Sequence, residues 1–131
     1  SLTTNTGGTT LLNGNVTTTT SQIYADAVTI ANNPTLTGSA ITFNDTVNGN
    51  SNLTVNGGTG NVTFTGAVGK STALGNVTAN TSGTTTFNAV TANSLTTNTG
   101  GTTLLNGNVT TTTSQIYADA VTIANNPTLT G

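Results

Sequence analysis

Few residues of this chain can do chemistry. Of its 131 residues, four carry a formal charge: Asp26, Asp45, Lys70 and Asp119. There is no His and no Cys, and all three acids are Asp. General acid–base or nucleophilic catalysis needs a group that titrates near the working pH, held beside the reacting atom. Asp26 and Asp119 are one repeat position seen twice, so two distinct acids remain. The many Ser and Thr hydroxyls have no base partner in the sequence. The chain is therefore read as non-enzymatic, with no catalytic residue and no cofactor. Calcium-binding β-rolls place Asp in a glycine-rich nonapeptide, whereas Asn44-Asp45 and Ala25-Asp26-Ala27 stand isolated. Both read as solvated turn carboxylates, and no metal site is expected. Lys70, in Gly69-Lys70-Ser71, reads as an exposed turn residue rather than half of an internal cross-link. One cation is not a basic patch, so nucleic acid is not an expected partner. No run approaches the 18 apolar residues of a membrane span.

The elements that must position these groups are written in a repeat. Ser1–Gly38 recurs without a change as Ser94–Gly131, an offset of 93 residues. The chain thus reads as one continuous segment, 1–131, made of a unit 1–93 and the start of a second, 94–131. Thr (37 residues), Asn (20) and Gly (16) dominate it. Polar low-complexity chains are often disordered, but they are usually rich in charge and Pro, and here only Pro34 and Pro127 occur. Thr, Val and Ile favour strands and recur in alternation.

Within the unit, apolar alternations stand at Thr10–Leu12, Val28–Ile30, Ile41–Phe43, Val62–Phe64 and Thr85–Phe87, resuming at Thr103–Leu105. Their starting positions advance by 18, 13, 21, 23 and 18 along the chain. This reads as five coils to the unit. Lone apolar residues follow at Val16, Val47, Val68 and Val90, and a second alternation runs through Leu53-Thr-Val55, Val77-Thr-Ala79 and Leu95-Thr-Thr97. Asn and Gly fill the turns, where they tolerate positive φ.

About 19 residues make one turn of a right-handed parallel β-helix, with every second residue inward and coils stacked at about 4.8 Å. Seven coils give a rod of roughly 34 Å at that spacing. The expected core places Val28, Ile30, Ile41, Phe43, Val62, Phe64 and Phe87 in one inner column pair, with Leu53, Val55, Val77 and Leu95 on a second face. Thr29, Thr42, Thr63 and Thr86 form an outward ladder, and turn Asn residues stack along the axis. The spacing of 13 is short for a coil. Either Val28–Ile30 forms a second face, with Ile23 and Tyr24 on the first, or a coil is pinched near Pro34. The competing architecture is a string of immunoglobulin-like β-sandwiches of 93 residues each, which the lack of Trp and of large core residues disfavours.

The stretch Gly49–Gly69 (GNSNLTVNGGTGNVTFTGAVG), with its echoes along the chain, resembles the repeats of filamentous-haemagglutinin-like adhesins and autotransporter passenger domains of bacteria. The resemblance is one of rhythm: apolar-Thr-apolar, then Gly and Asn. It implies a parallel β-helix, secretion across an outer membrane and a place at the cell surface or in a matrix. It carries over no catalytic residue. Coil lengths of 13 to 23 depart from the even stacking of that family.

The expected role is a structural segment of a long extracellular fibre, sheath or adhesin stem. The alternative is an adhesive module for host or matrix glycans, for which Tyr24 and Tyr117 are the aromatic candidates. Ice binding by Thr-x-Thr rows, as at Thr35–Thr37 and Thr63–Thr65, would need coils of equal length. Sequons at Asn15, Asn44, Asn52, Asn61, Asn76, Asn80 and Asn108 arise at the density that so much Asn and Thr gives by chance. An uncapped coil is an open sheet edge, so self-association into filaments is expected.

Overall fold

The computed structural model describes all 131 residues, Ser1–Gly131. It is all-β, and every strand pairing is parallel. The chain winds as a β-solenoid of about seven coils, with its strands laid on three faces. The facing antiparallel sheets of a sandwich are absent.

Alternation explains the strands. In Val62–Phe64 and Ile41–Phe43 the outer two residues are fully buried and the central Thr is half-exposed. Successive residues of a strand point to opposite sides, so apolar-Thr-apolar fixes which side is inside. Parallel register then sets like upon like. Gln22, Ile41, Val62, Thr85, Thr103 and Val121 lie over one another, and so do Tyr24, Phe43 and Phe64. Four rings form a continuous stack on this aromatic face. Tyr24–Phe43, Phe43–Phe64 and Phe64–Phe87 have centroids 5.1, 4.7 and 4.9 Å apart and planes within 13°. The coil spacing thus places each ring at stacking distance from the next, and each pair adds about 0.5–1.5 kcal/mol beyond its burial. Leu105 continues the column beyond Phe87.

The second face carries Leu36, Val55 and Ala79 in one inward row and Leu53, Val77 and Leu95 in the other. This leucine face holds its four expected residues. The third face is a ladder of Val28, Val47, Val68, Val90 and Val109, made of one three-stranded sheet prolonged by single bridges. The lone valines of the sequence are its rungs, except Val16, which lies on the leucine face under Leu36.

Two expectations about placement need correction. Val28 and Ile30 are buried, but on the valine face and not beneath Ile41 and Phe43. The column below Phe43 is filled by Gln22 and Tyr24 of the strand Ser21–Tyr24. Thr29 accordingly faces outward beside Asn48, away from the row Thr42, Thr63, Thr86. The spacing of 13 is a change of face within ordinary coils, and no coil is pinched at Pro34. There Asn32 and Asn33 take positive φ (57° and 53°) and turn the chain into the buried proline.

The second correction concerns the repeat. On the aromatic face the stacked positions Leu2, Gln22, Ile41, Val62, Thr85, Thr103 and Val121 advance unevenly, by 20, 19, 21, 23, 18 and 18 along the chain. Five coils from Leu2 therefore reach Thr103, which is 101 residues on, whereas the sequence repeats after 93. The unit falls one strand short of five coils and spans four and two-thirds. The second copy consequently sits one face round. Thr9–Leu12 lies on the valine face and its copy Thr102–Leu105 on the aromatic face. Val16 lies on the leucine face and Val109 on the valine face. Tyr24 lies on the aromatic face and Tyr117 on the leucine face, beside Thr97. Thus 38 identical residues build the same local strands in a different azimuth.

Such unequal steps coexist with straight columns because the surplus is spent at the corners. The longest, from Val55 to Ala79, includes the bend around Lys70. Close approach requires glycine at some corners. A Cβ at Gly60 would collide with the Ser39 carbonyl one coil away, and Gly49 (φ 129°) would strike the Ile30 backbone.

Replacing Phe64 with Ala should cost about 3–5 kcal/mol, because the hole opens in the middle of the stack. Phe64→Leu, the residue type that Leu105 already contributes to the column, should cost under about 1.5 kcal/mol. Equilibrium urea denaturation checks both. Thr85 is fully buried and its Oγ1 has no hydrogen-bond partner. Thr85→Val should therefore stabilise the fold by about 1 kcal/mol, since a desolvated hydroxyl with no partner carries a net cost. The same denaturation series would show this as a higher midpoint.

Candidate functional site

The polar groups of the chain are arranged along the solenoid and not in a cleft, and no cavity opens in it. Asp26 is buried at a coil corner. Its Oδ1 accepts hydrogen bonds from Thr10 Oγ1 (2.7 Å) and Thr4 Oγ1 (2.9 Å). Thr4 Oγ1 also accepts from the Ala25 amide at 3.1 Å. The Thr10 hydroxyl is the main influence holding the Asp26 carboxyl below its ordinary range. Desolvation opposes it, while Thr4 and the residue's own backbone assist. The second copy rebuilds this clamp, with Asp119 Oδ1 accepting from Thr103 (2.8 Å) and Thr97 (3.0 Å). These two acids are thus hydroxyl-bound tethers across coils rather than the solvated turn carboxylates expected. Asp45 is exposed and caps the Thr46 amide at 2.7 Å, and Lys70 is exposed in its bend.

A second network was missed in the sequence. Gln22 is fully buried. Its amide Nε2 donates to Thr37 O (2.9 Å), Val16 O (3.2 Å) and Thr18 Oγ1 (3.4 Å), and its Oε1 accepts from the Tyr24 hydroxyl at 2.8 Å. Burial pushes the Tyr24 hydroxyl up to about 12. Gln115 and Tyr117 repeat the network, with Tyr117 also at about 12. The signal in sequence was the Gln-x-Tyr spacing, which puts a polar head and a phenol on the same side of a strand. Tyr24 is consumed by the core and offers no ring to a sugar.

The eleven expected core residues are all buried: Val28, Ile30, Ile41, Phe43, Val62, Phe64, Phe87, Leu53, Val55, Val77 and Leu95. Asparagines form the corner ladder. Asn33 Oδ1 accepts from the Asn52 amide (2.9 Å), Asn52 Oδ1 from the Asn76 amide (2.7 Å), and Asn76 Oδ1 from Asn93 Nδ2 (2.7 Å). Among the sequon asparagines, Asn15, Asn61 and Asn108 also accept from a backbone amide of the next coil. On the outer leucine face Thr35, Thr54, Thr78 and Thr96 stand in register, with Thr37, Asn56 and Asn80 beside the first three. Equal coil length is therefore unnecessary for aligned rows.

No protein-family model, curated protein or solved structure matches this chain.

Because the folded Asp26 carboxyl titrates below its ordinary value of 3.8, its contribution to stability is complete above that value. It is lost as pH falls through the folded pKa. The melting temperature should thus be level from neutral pH to about 4 and decline below it. Asp26→Asn should lower the plateau and flatten that decline, which circular-dichroism melts across pH would measure.

Proposed function

We propose that the chain is a structural segment of an extracellular fibre, sheath or adhesin stem, acting as a stiff spacer at the cell surface. The observation that carries this reading is the continuous ladder along the axis. There are 71 backbone–backbone hydrogen bonds, and the side-chain bonds of Asp26 and the asparagines also run mainly from coil to coil. Each coil is built on its neighbours, as in repeat proteins whose stability is a sum over adjacent units. A perfect 38-residue recurrence extends the same rod without a change of chemistry.

A lattice-matching surface, such as one for ice, finds less support. The leucine-face row of Thr35, Thr54, Thr78 and Thr96 passes next to Ile116, because the second copy has turned. On the aromatic face the row of Thr42, Thr63 and Thr86 lies between Ile23 and Leu104. An adhesive glycan surface finds less support, since Tyr24 is inside and Tyr117 is half-buried with its hydroxyl bonded to Gln115.

Tandem arrays of the unit, imaged by negative-stain electron microscopy, should be unbranched rods of constant width. They should lengthen by about 22 Å per 93 residues, from four and two-thirds coils at about 4.8 Å each. On intact cells of the source organism an antibody to the outer Thr rows should label the surface. Beaded arrays would refute the rod, and labelling only after permeabilisation would refute the location.

A further inference from the structure

The terminal coil at the Gly131 end leaves Ile116, Val121, Ile123 and Leu129 exposed by 53, 40, 60 and 43%. In the first copy three of the same residues, Val28, Ile30 and Leu36, are 1, 2 and 0% exposed. What covers them there is the coil Ser39–Gly58. Ala40–Phe43 pairs with Ser21–Tyr24, Val47 and Asn48 pair with Val28 and Thr29, and Thr54–Asn56 pairs with Thr35–Thr37. The Val28 amide donates to Thr46 O at 2.8 Å, and the Asn44 amide to Tyr24 O at 2.9 Å.

We propose that this edge is a docking surface for a further copy of Ser39–Gly58, and that the copy seats one face round from where it lies in the first repeat. The copy of Ala40–Phe43 then pairs with Ser114–Tyr117 on the leucine face. Its Phe43 stacks on Tyr117 and starts a new aromatic column there. The copies of Val47 and Asn48 cap Val121 and Thr122 on the aromatic face. The edge offers the same residues, in the same order, that take this coil in the first copy. The alternative is that the existing aromatic column simply continues, with the copy of Phe43 over Ile123. That alternative would need Ala40–Phe43 to pair with Ala120–Ile123, whose identical counterpart Ala27–Ile30 takes Val47 and Asn48 instead. The inference rests on the rod reading above and adds to it the rule by which repeats join.

The test extends the 131-residue chain at its C-terminus by a copy of Ser39–Gly58. The chain has no native cysteine, so engineered pairs report cleanly. Outward residues on neighbouring strands lie about 4.8 Å apart, within the Cα separation of roughly 4.4–6.8 Å that a disulfide accepts. One variant carries Ile116→Cys and Cys at the added copy of Thr42. A second carries Thr122→Cys and Cys at that same added position. The first should oxidise at least tenfold faster than the second. In the extended chain without cysteines, amide hydrogen exchange at Val121 should slow at least tenfold against the 131-residue chain. Faster oxidation of the second pair would overturn the rotated seating. An unchanged exchange rate at Val121 would overturn docking altogether. Neither result depends on whether the protein is at the cell surface, so a failure of the fibre reading shows separately.

Discussion

The hydrogen-bonded ladder between parallel coils is the constraint from which the rest of this structure follows. Parallel strands repeat at a fixed short distance, and every side chain must live with the one above and below it. This makes flat rings valuable, because the coil spacing is also a stacking distance. It makes buried charge costly, because an inward carboxylate loses water and has only neighbouring coils to bond it. Of the four charged residues, Asp45 and Lys70 are exposed. Both acids that are drawn against the coil are held by two threonine hydroxyls each.

The same ladder explains why polar residues can line so thin a structure. Asn side chains at the corners accept backbone amides of the adjacent coil, standing in for strand bonds where the chain bends. Inside the coil Gln22 donates its amide to two backbone carbonyls and accepts from a phenol at once. A buried amide with its partners supplied is stable, whereas one left alone costs more than an apolar residue in its place. The buried hydroxyl of Thr85 is the exception, with no partner in its column.

The inward and outward sides of the strands were legible in the sequence, since an alternation of period two carries that information directly. The stack of Phe43, Phe64 and Phe87 and the leucine-face residues followed from it. Azimuth was not legible. The triplet Val28-Thr-Ile30 has the same form as Ile41-Thr-Phe43, and nothing in alternation says which of three faces a strand occupies. Corner length decides that, and corners here vary freely. Reading the triplets as one column therefore placed Val28 and Ile30 wrongly and closed the unit on five coils. Tyr24 is a candidate for the missing face from the sequence, but Gln22 escaped notice because a polar residue on an inward position runs against the pattern, and only its bonding explains it. The Asp26 clamp joins residues 16 and 22 positions apart, a separation visible only once the coils are stacked.

The mismatch between the 93-residue period and the three-faced coil has a consequence for how the shaft meets its surroundings. A repeat that closed on whole coils would give the molecule a front and a back, with identical patches aligned down one side. Such a stripe invites neighbouring shafts to lie flush and fuse into sheets. Here the unit falls one face short of whole coils, and a patch shown to one side by the first copy is shown to another by the second. Identical side chains are thereby distributed around the circumference and do not gather into one stripe.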